Sequence, residues 1–310
     1  MQRFRKILFV DEPAGIKPAL LRAIRLARAN EAQLTIATVS EELTRSMDNL
    51  AKSFLQIRQQ EIRTMLNDLP TKGLSIETRH LTGTPFLEII REVSKGGYDL
   101  VIKPAEGHKR FHSMLLGTTD MHLMRKCPCP VWVIKPNQRK KYTRILAAVD
   151  PDPSEKANVE LNKHILDLAT AMAKKDGGKL HIVHCWHLAN EGLLRRGRAL
   201  LKSSNLEKLL RNNRQEHKEW LAGMLDNYDL KGLTAKVHLL KGDAGDIIPA
   251  LALKKDVDLI IMGTVEHTGI PGLFIGNTAE RTLSSVDCSV LAVKPQGFST
   301  PVEVEHPSTH

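Results

Sequence analysis

The sequence predicts an α/β protein of two tandem, doubly wound domains, each with a mostly parallel five-stranded sheet and helices on both faces. Three observations lead to this fold class. The chain has 310 residues, the length of two domains of ordinary size. Its second half repeats segments of its first half in the same order. Within each half, short apolar runs alternate with stretches of helical periodicity, which is typical of a parallel sheet buried on both faces.

The internal repeat fixes how the two halves correspond. Asp11 near the start matches Asp150 at an offset of 139, whereas later segments match at 159. The second half therefore carries about 20 extra residues between its first and third strands. We expect them in the basic segment at 195–214. The pairs at offset 159 are Cys129 with Cys288, Lys135 with Lys294, Gly117 with Gly276, and Gly83 with Gly242.

The elements of the first half follow from the spacing of its apolar residues. Pro85 is expected in the first turn of a helix that carries Phe86, Ile89, Ile90 and Val93 on one face. Another helix is expected at 17–28, and a longer one is marked by apolar residues between 54 and 69. Strands are expected at 7–10, 33–39, 76–81, 100–103 and 131–134.

The predicted domains are residues 1–137 and 142–297, joined by the polar stretch NQRKKY and followed by a tail at 298–310. The last strands, Val131–Lys135 and Val290–Lys294, are the expected edges through which the two domains pair within the chain. A homodimer of whole chains is compatible with this arrangement.

Composition restricts the class of protein. Hydrophobic residues make up 42% and charged residues 26%, as in soluble globular proteins, and aromatic residues only 4%. No apolar run approaches the roughly 20 residues of a membrane span, and the N-terminus does not resemble a signal peptide. The sequence is interpreted as that of a cytoplasmic protein without a membrane span.

The net charge of +10 is compatible with nucleic acid, an anionic lipid surface or small anionic ligands. Scarce aromatic residues count against nucleic acid, because single strands bind by stacking. The basic cluster at Arg195, Arg196 and Arg198 is equally explained as a solvated helix face. The four cysteines do not have zinc-site spacing, so we expect reduced, mostly buried thiols.

The stretch GTVEHTGIPGLFIGNTAERT, at 263–282, is the main candidate site. Gly263 ends the predicted fourth strand, and Gly276, Asn277 and Thr278 open a helix. Glycine allows the backbone N–H groups to approach an anion, and a helix start favours phosphate. Asp150 ends the first strand at the same edge of the sheet, where such folds bind ligands. The alternative is a loop that only turns the chain.

At this point the sequence resembles the universal stress protein family, over almost the whole chain and as two tandem copies. The resemblance implies an adenine nucleotide alpha hydrolase-like fold and a stress-response role. Its ATP-binding members carry G-x2-G-x9-G-[ST] after the fourth strand and an Asp after the first. In the second half, Asp150, Gly263 and Gly276 match, Asn277 takes the Ser/Thr position with Thr278 after it, and Glu266 replaces the middle glycine.

In the first half, Asp11, Gly107, Gly117 and Thr118 match the family pattern, and Pro104 replaces the first glycine. Proline removes an N–H and fixes φ, which weakens this copy of the loop. The resemblance thus implies ATP, with magnesium accompanying it, in the second half above all. Asp150 would take the adenosine side, and the glycine end of the loop the phosphates.

Other groups of residues in the sequence give weaker evidence for a function. His181, Cys185 and His187 share one strand face but span about 20 Å, too far for one metal ion. The basic run at His108–His112 either attracts an anion near Gly117 or belongs to a solvated loop. The sequence shows neither G-x-S-x-G nor H-E-x-x-H, so we expect a ligand-binding protein and not an enzyme.

The helix at 206–225 either packs on the sheet or covers a ligand. A nucleotide-free interaction module and a binder of another anionic or lipid-like ligand remain the alternatives.

Overall fold

The computed structural model describes residues 4–12, 16–41, 48–106, 117–135, 141–154, 156–196, 203–264 and 276–303. In both halves strands alternate with helices, as expected. The elements of the first half are β1 (Lys6–Val10), α1 (Ile16–Asn30), β2 (Gln33–Ser40), α2 (Asp48–Asn67), β3 (Ile76–Thr82), α3 (Pro85–Gly96), β4 (Leu100–Pro104), α4 (Thr118–Lys126) and β5 (Val131–Ile134).

The second half repeats this order with one additional short helix before its long one. Its elements are β6 (Arg144–Ala148), α5 (Lys156–Asp176), β7 (Lys179–Trp186), α6 (Glu191–Arg196), α7 (Ser203–Leu225), β8 (Ala235–Lys241), α8 (Ala244–Lys254), β9 (Leu259–Gly263), α9 (Asn277–Leu283) and β10 (Ser289–Val293).

The strands form one continuous ten-stranded sheet in the order β3-β2-β1-β4-β5-β10-β9-β6-β7-β8. Each half contributes five parallel strands. The halves join through the antiparallel pair β5–β10, in which Leu291 lies opposite Trp132. The expected pairing of the last strands within one chain is confirmed, and the two predicted sheets are one sheet that crosses the whole molecule.

Two apolar layers cover this sheet, one on each face. Leu20 and Ile24 of α1 and Ile165 of α5 are buried in one layer. Ile89 of α3 and Leu283 of α9 are buried in the other. Helices therefore lie on both faces, which explains why the central strands are almost wholly apolar. Within the described residues, no helix is both long and apolar enough to cross a bilayer.

Helix α2 departs from the predicted apolar face. Ile62 is buried, but Phe54 and Ile57, taken as part of the same face, are 58% and 61% exposed. Only the second part of α2 packs on the sheet. In the second half, Leu206 and Leu221 bury α7 against the core. Packing of this helix on the sheet is therefore confirmed, and its use as a cover over a ligand stays a prediction.

The strand register shows where the extra residues of the second half lie. Ile7 and Ile145 pair with Leu100 and Leu259, so the first strands correspond at an offset of 138. The second strands correspond at 146, because Leu34 and Leu180 pair with Ile7 and Ile145. The third strands correspond at 159, since Ile76 and Ala235 pair with Leu34 and Leu180.

The insertion is therefore split. Eight residues enter between β6 and β7, where α5 has 21 residues and α1 only 15, and thirteen enter between β7 and β8. The expectation of about 20 extra residues between the first and third strands is confirmed. Their placement entirely around 195–214 is wrong, because a longer first crossover helix accounts for part of them.

Candidate functional site

The second domain has a cavity of about 330 Å³ at the carboxyl ends of β6, β7 and β9. This is the edge where open α/β sheets bind ligands. The structure brings together all five residues singled out for the second half, which line the cavity with a wall of apolar side chains. They are Asp150, Gly263, Gly276, Asn277 and Thr278.

Asp150 is held by hydrogen bonds of its backbone, and its carboxylate lies 3.9 Å from Nδ1 of His184. Its N–H donates to Asn162 Oδ1 at 3.0 Å, and its carbonyl accepts from Asn162 Nδ2 at 2.5 Å. Asn162 lies on α5 and is buried. The Asp150 side chain remains 57% exposed beside the cavity. An acceptor held by its backbone and still accessible is suited to contact a hydroxyl or amino group of a ligand.

The two glycines that line the cavity are each required for a different structural reason. A Cβ on Gly263 would lie 2.6 Å from Leu161 Cδ2, so glycine is needed where α5 packs closely on the end of β9. Gly276 is the N-cap of α9, and its N–H donates to the carbonyl of Thr264 at 3.3 Å. Asn277 and Thr278 are therefore the first two helical residues and do not occupy the capping position.

A histidine pair closes one side of the cavity. His184 lines it and is buried, and its Nδ1 lies 3.3 Å from the carbonyl of Val149. Because a carbonyl only accepts, Nδ1 carries the proton, and Nε2 accepts from His217 Nδ1 at 2.8 Å. Burial lowers the pKa of both imidazoles below the usual value for histidine, which favours this neutral, directional pair.

This pair was not predicted from the sequence, in which the spacing of His181, Cys185 and His187 was considered only for a metal ion. Within the described residues, no group of three side chains could hold a metal ion. His181 hydrogen-bonds His238 across β7 and β8 at 2.9 Å, separately from the His184 pair. The internal repeat held the available signal. At an offset of 159, His217 takes the position that the charged Arg58 has in the first half.

In the first domain, Asp11 is held by an arginine. Arg58 donates from Nε and Nη2 to the two Asp11 oxygens at 2.7 and 2.6 Å, and both residues are buried. Hydrogen bonding to Asp11 raises the pKa of Arg58 above its already high value. Thr38 Oγ1 approaches the same carboxylate at 3.4 Å. Asp11 is thus engaged inside the protein, in a bidentate pair of the strong type.

Lys103 is the centre of a second charged cluster in this domain. Its Nζ lies 2.9 Å from Asp120 Oδ1 and 3.4 Å from both Glu12 and Glu106. Lys103 is 2% exposed and Asp120 is fully buried. Burial disfavours the ammonium, but the three carboxylates outweigh it and raise the pKa of Lys103. We call these four residues the Lys103 cluster.

The Lys103 cluster occupies the place expected to receive a phosphate. Gly117 is the N-cap of α4, and its N–H donates to Asp120 Oδ2 at 3.3 Å. A Cβ on Gly117 would overlap the carboxylate of Glu106, so that carboxylate lies directly against the glycine. Thr118 follows as an exposed first residue of α4. Carboxylates of the chain itself take the position where an anionic ligand would approach this helix.

The register also corrects one correspondence. Asp11 and Val149 donate their N–H groups to Ala37 and Val183, which are equivalent residues of β2 and β7. The structural counterpart of Asp150 is therefore Glu12. The sequence match between the two Asp residues is out of register by one position, which turns Asp11 to the opposite face of the sheet.

Several predicted features lie outside the described residues. These are Gly107, Glu266, the basic run at 108–112, the NQRK part of the linker and Arg198, together with the side chains of Arg195 and Arg196. Pro104 is described and ends β4, opposite Ile134 of β5. The expectation of free, mostly buried cysteines is confirmed, because Cys127, Cys129 and Cys288 are buried and all four thiols are free.

Comparison with known proteins agrees with the tandem architecture. The model of the universal stress protein family matches residues 3–135 and again residues 141–294. Universal stress protein E of Escherichia coli K12 is 27% identical over 319 residues, covering 98% of both chains. The universal stress protein E homolog of Haemophilus influenzae is 25% identical over 309 residues, covering 94% of this chain and 98% of the relative.

Solved structures agree with this comparison. The functionally unknown protein PA1789 of Pseudomonas aeruginosa PAO1 has a TM-score of 0.65 at 25% identity, covering 94% of this chain and 93% of the other. A universal stress protein of Archaeoglobus fulgidus has a TM-score of 0.62 at 17% identity, covering 94% and 96%, and shows the shared fold. Two family matches in one continuous sheet establish that the chain belongs to the universal stress protein family, as a tandem of two family domains.

Proposed function

We propose that this stress-response protein acts by binding an adenine nucleotide, with ATP as the leading candidate, in the cavity of its second domain. The observation that carries the proposal is the meeting of Asp150, Gly263, Gly276, Asn277 and Thr278 around one cavity. Its volume of about 330 Å³ is at the lower end of the usual range for small-molecule sites. The cavity also lies at the ligand-binding edge of the sheet.

The lining of the cavity offers groups that suit both the adenosine and the phosphates of a nucleotide. Asp150 offers an accessible carboxylate at the β6 end, which fits the hydroxyl or amino donors of adenosine. Asn277 and Thr278, the first residues of α9, offer backbone N–H groups next to a cap residue without a side chain, which fits phosphate. Magnesium would accompany the nucleotide, held mainly by phosphate oxygens as is usual for this ion.

We propose binding without a defined reaction. Near the cavity, His184 is engaged at both ring nitrogens, by Val149 and by His217. It is thereby occupied in structure and not aimed at a nucleophile. The ligand would then act by stabilising one conformation of the second domain. This would change both the stability and the surface of that domain.

The first domain would contribute no comparable site. The Lys103 cluster and the Arg58–Asp11 pair fill the corresponding edge with charges of the protein itself. This domain is better suited to a structural or interaction role. The nucleotide-free alternative thus describes the first domain, while the second keeps the ligand.

The test begins with the protein as purified, without added nucleotide. We expect mass spectrometry of the denatured protein to find an adenine nucleotide, or calorimetric titration with ATP and magnesium to show binding. Asp150→Ala should weaken binding about tenfold, the effect of one lost polar contact. Gly276→Val should weaken it at least as much, by placing a side chain at the cap.

Asp152→Ala is the matched control, because it makes the same change two residues away. Asp152 accepts from Ser154 and is not among the residues that line the cavity. Its affinity for ATP should equal that of the wild type. An empty extract together with no binding at millimolar ATP would overturn the proposal.

A further inference from the structure

Thr264 occupies the point where the cavity of the second domain touches the first domain. It directly follows Gly263, and its carbonyl accepts the N–H of Gly276, so it joins the two glycines that line the cavity. Thr264 is 1% exposed. Its backbone therefore belongs to the candidate site, while its side chain is free to make a different contact.

That contact is with helix α4 of the first domain. Thr264 Oγ1 donates to the carbonyl of Met124 at 3.0 Å, in the last turn of α4. The last carbonyls of a helix have no partner within it and need donors from elsewhere. The hydroxyl of Thr264 supplies one of these donors from the other domain.

Lys294 completes the contact immediately after β10. Its buried Nζ donates to Met124 O at 2.5 Å, to Thr264 Oγ1 at 2.7 Å and to Arg125 O at 3.1 Å. Burial lowers the pKa of Lys294 to about 7. Three acceptors match the three hydrogens of an ammonium, and the helix C-terminus favours a cation, so the geometry supports the charged form.

A second bridge links α4 to helix α9. Arg125 of α4 forms an ion pair with Glu280 of α9, the helix that starts at the cavity. Helix α4 is thus attached to the second domain both at Thr264 and on α9. At its other end, Asp120 of α4 is fixed by Lys103. The helix is held between the Lys103 cluster and the candidate site.

The first domain lacks the corresponding hydroxyl. Offset 159 places Ala105 opposite Thr264, and Ala105 is buried with a methyl side chain. Lys135 is the counterpart of Lys294 and is also buried. The threonine is therefore specific to the domain that has the open cavity. This restriction connects the contact with the cavity and not with pairing of the domains in general.

We propose that Thr264, together with Lys294, is a positioning residue that fixes the phosphate end of the second-domain site to α4 of the first domain. This inference rests on the proposed nucleotide site. The affinity of the second domain for its ligand then depends on a contact made by the first domain. Removing the hydroxyl leaves the Met124 carbonyl and Lys294 with one buried partner fewer and lets Gly276 shift from its position.

The test compares three variants by calorimetric titration of the full chain with ATP and magnesium. Thr264→Val keeps the size and removes the hydroxyl, and should weaken binding about tenfold. Thr264→Ser keeps the hydroxyl and should restore affinity to within about threefold of the wild type. Thr264→Val with Lys294→Met should weaken binding further than Thr264→Val alone, because Lys294 also donates to the carbonyls of Met124 and Arg125.

Thr170→Val is the matched control. It removes a hydroxyl that bonds to Leu166 O within α5 of the same domain. Its affinity for ATP should remain that of the wild type. A purely structural role for Thr264 predicts that Thr264→Val lowers the unfolding midpoint while leaving the affinity unchanged, and this result would overturn the inference.

Hydrogen exchange of residues 276–283 separates this inference from the proposed function. Thr264→Val should speed exchange at the start of α9, and Thr264→Ser should not. If the wild type does not bind ATP, the nucleotide proposal and the positioning role both fail, whatever the exchange shows. If the wild type binds ATP and neither affinity nor exchange responds to Thr264→Val, only the positioning role fails.

Discussion

The carboxyl edges of the two domains are built on the same strands and helices but are completed in opposite ways. In the first domain, Lys103 of β4 and Asp120 of α4 form a buried ion pair. The residues at the same positions of the second domain are Met262 and Ala279, which line the open cavity. The edge of the first domain is therefore filled by a salt bridge. In the second domain two apolar side chains take its place and the edge is open.

This difference shows how two copies of one domain can keep the same fold and complete the same edge with different side chains. An edge shaped for an anion presents helix N–H groups that need a partner. In the first domain, carboxylates of Asp120 and Glu106 lie at that position. Lys103 offsets part of their charge. The first domain fills this position with charged groups of its own chain, whereas the second has an open cavity there.

The largest expected effect comes from breaking the Lys103 cluster. Lys103→Met introduces the residue of the second domain but leaves the fully buried Asp120 without its cation. Removal of one partner from a buried ion pair costs about 4 kcal/mol. We expect the free energy of unfolding, measured by urea denaturation, to fall by that amount.

The double variant Lys103→Met with Asp120→Ala tests whether the loss of stability comes from the unpaired carboxylate of Asp120. It installs both residues of the second domain, and Glu12 and Glu106 are partly exposed and can be solvated. Most of the lost stability should return, since replacing a buried pair by apolar residues is often neutral. A double variant as unstable as Lys103→Met would contradict the assignment of the cost to Asp120.

The reverse exchange should close the second domain. Met262→Lys with Ala279→Asp places an ion pair at the positions that line the cavity. We expect the affinity for ATP to fall about 100-fold, because the new carboxylate repels phosphate and the pair occupies space. Met262→Leu is the control, with similar volume and no charge. Unchanged affinity in the double variant would show that a filled edge does not prevent binding.

The sequence contained enough to predict the fold and its internal pairing. Apolar strands such as 7–10 and 131–134 were found nearly at their final bounds, because burial on both faces leaves a continuous apolar run. The repeat then located the equivalent strands of the second domain. Both signals are local or periodic, and neither depends on which side chains meet in space.

The filled edge of the first domain could not be predicted in the same way. Lys103, Asp120, Glu12 and Glu106 come from three separate segments, and charged residues in a sequence are usually exposed. The error at Asp11 has a related cause. A sequence match tolerates a shift of one residue, but in a strand that shift moves a side chain to the opposite face.

A smaller effect is expected at the histidine pair of the second domain. At an offset of 159, His217 is the equivalent of Arg58. The second domain thus has a neutral imidazole at the position where the first domain has a fixed charge. His217→Ala removes the partner of His184 Nε2, which is buried, and should lower the free energy of unfolding by about 1 kcal/mol. His187→Ala, at an exposed histidine, should have little effect on the same measurement. A smaller loss from His217→Ala than from His187→Ala would mean that the pair does not stabilise this domain.

The effect expected to be smallest at neutral pH is a difference in acid sensitivity, and it follows from a second exchange of arginine for histidine. His238 occupies the position of Arg79 in the first domain and hydrogen-bonds His181. Burial, with added repulsion from His181 and nearby lysines, lowers the pKa of His238 to about 4. Between the unfolded pKa of about 6.5 and this value, the unfolded chain binds a proton that the folded chain does not.

Stability must therefore decrease as pH falls from about 6.5 towards 4, and His238 contributes no such dependence above pH 7. Urea midpoints of the wild type and of His238→Gln should be compared at pH 7 and at pH 5. The variant should lose less stability than the wild type between these two pH values. Arg79→Gln is the control in the first domain, because an arginine keeps its charge throughout this range and its replacement should shift the midpoint equally at both values. If Arg79→Gln and His238→Gln change the pH dependence alike, acid sensitivity does not reside in the paired histidines. If only His238→Gln does, the two domains differ in how they respond to acid as well as in whether their edges are open.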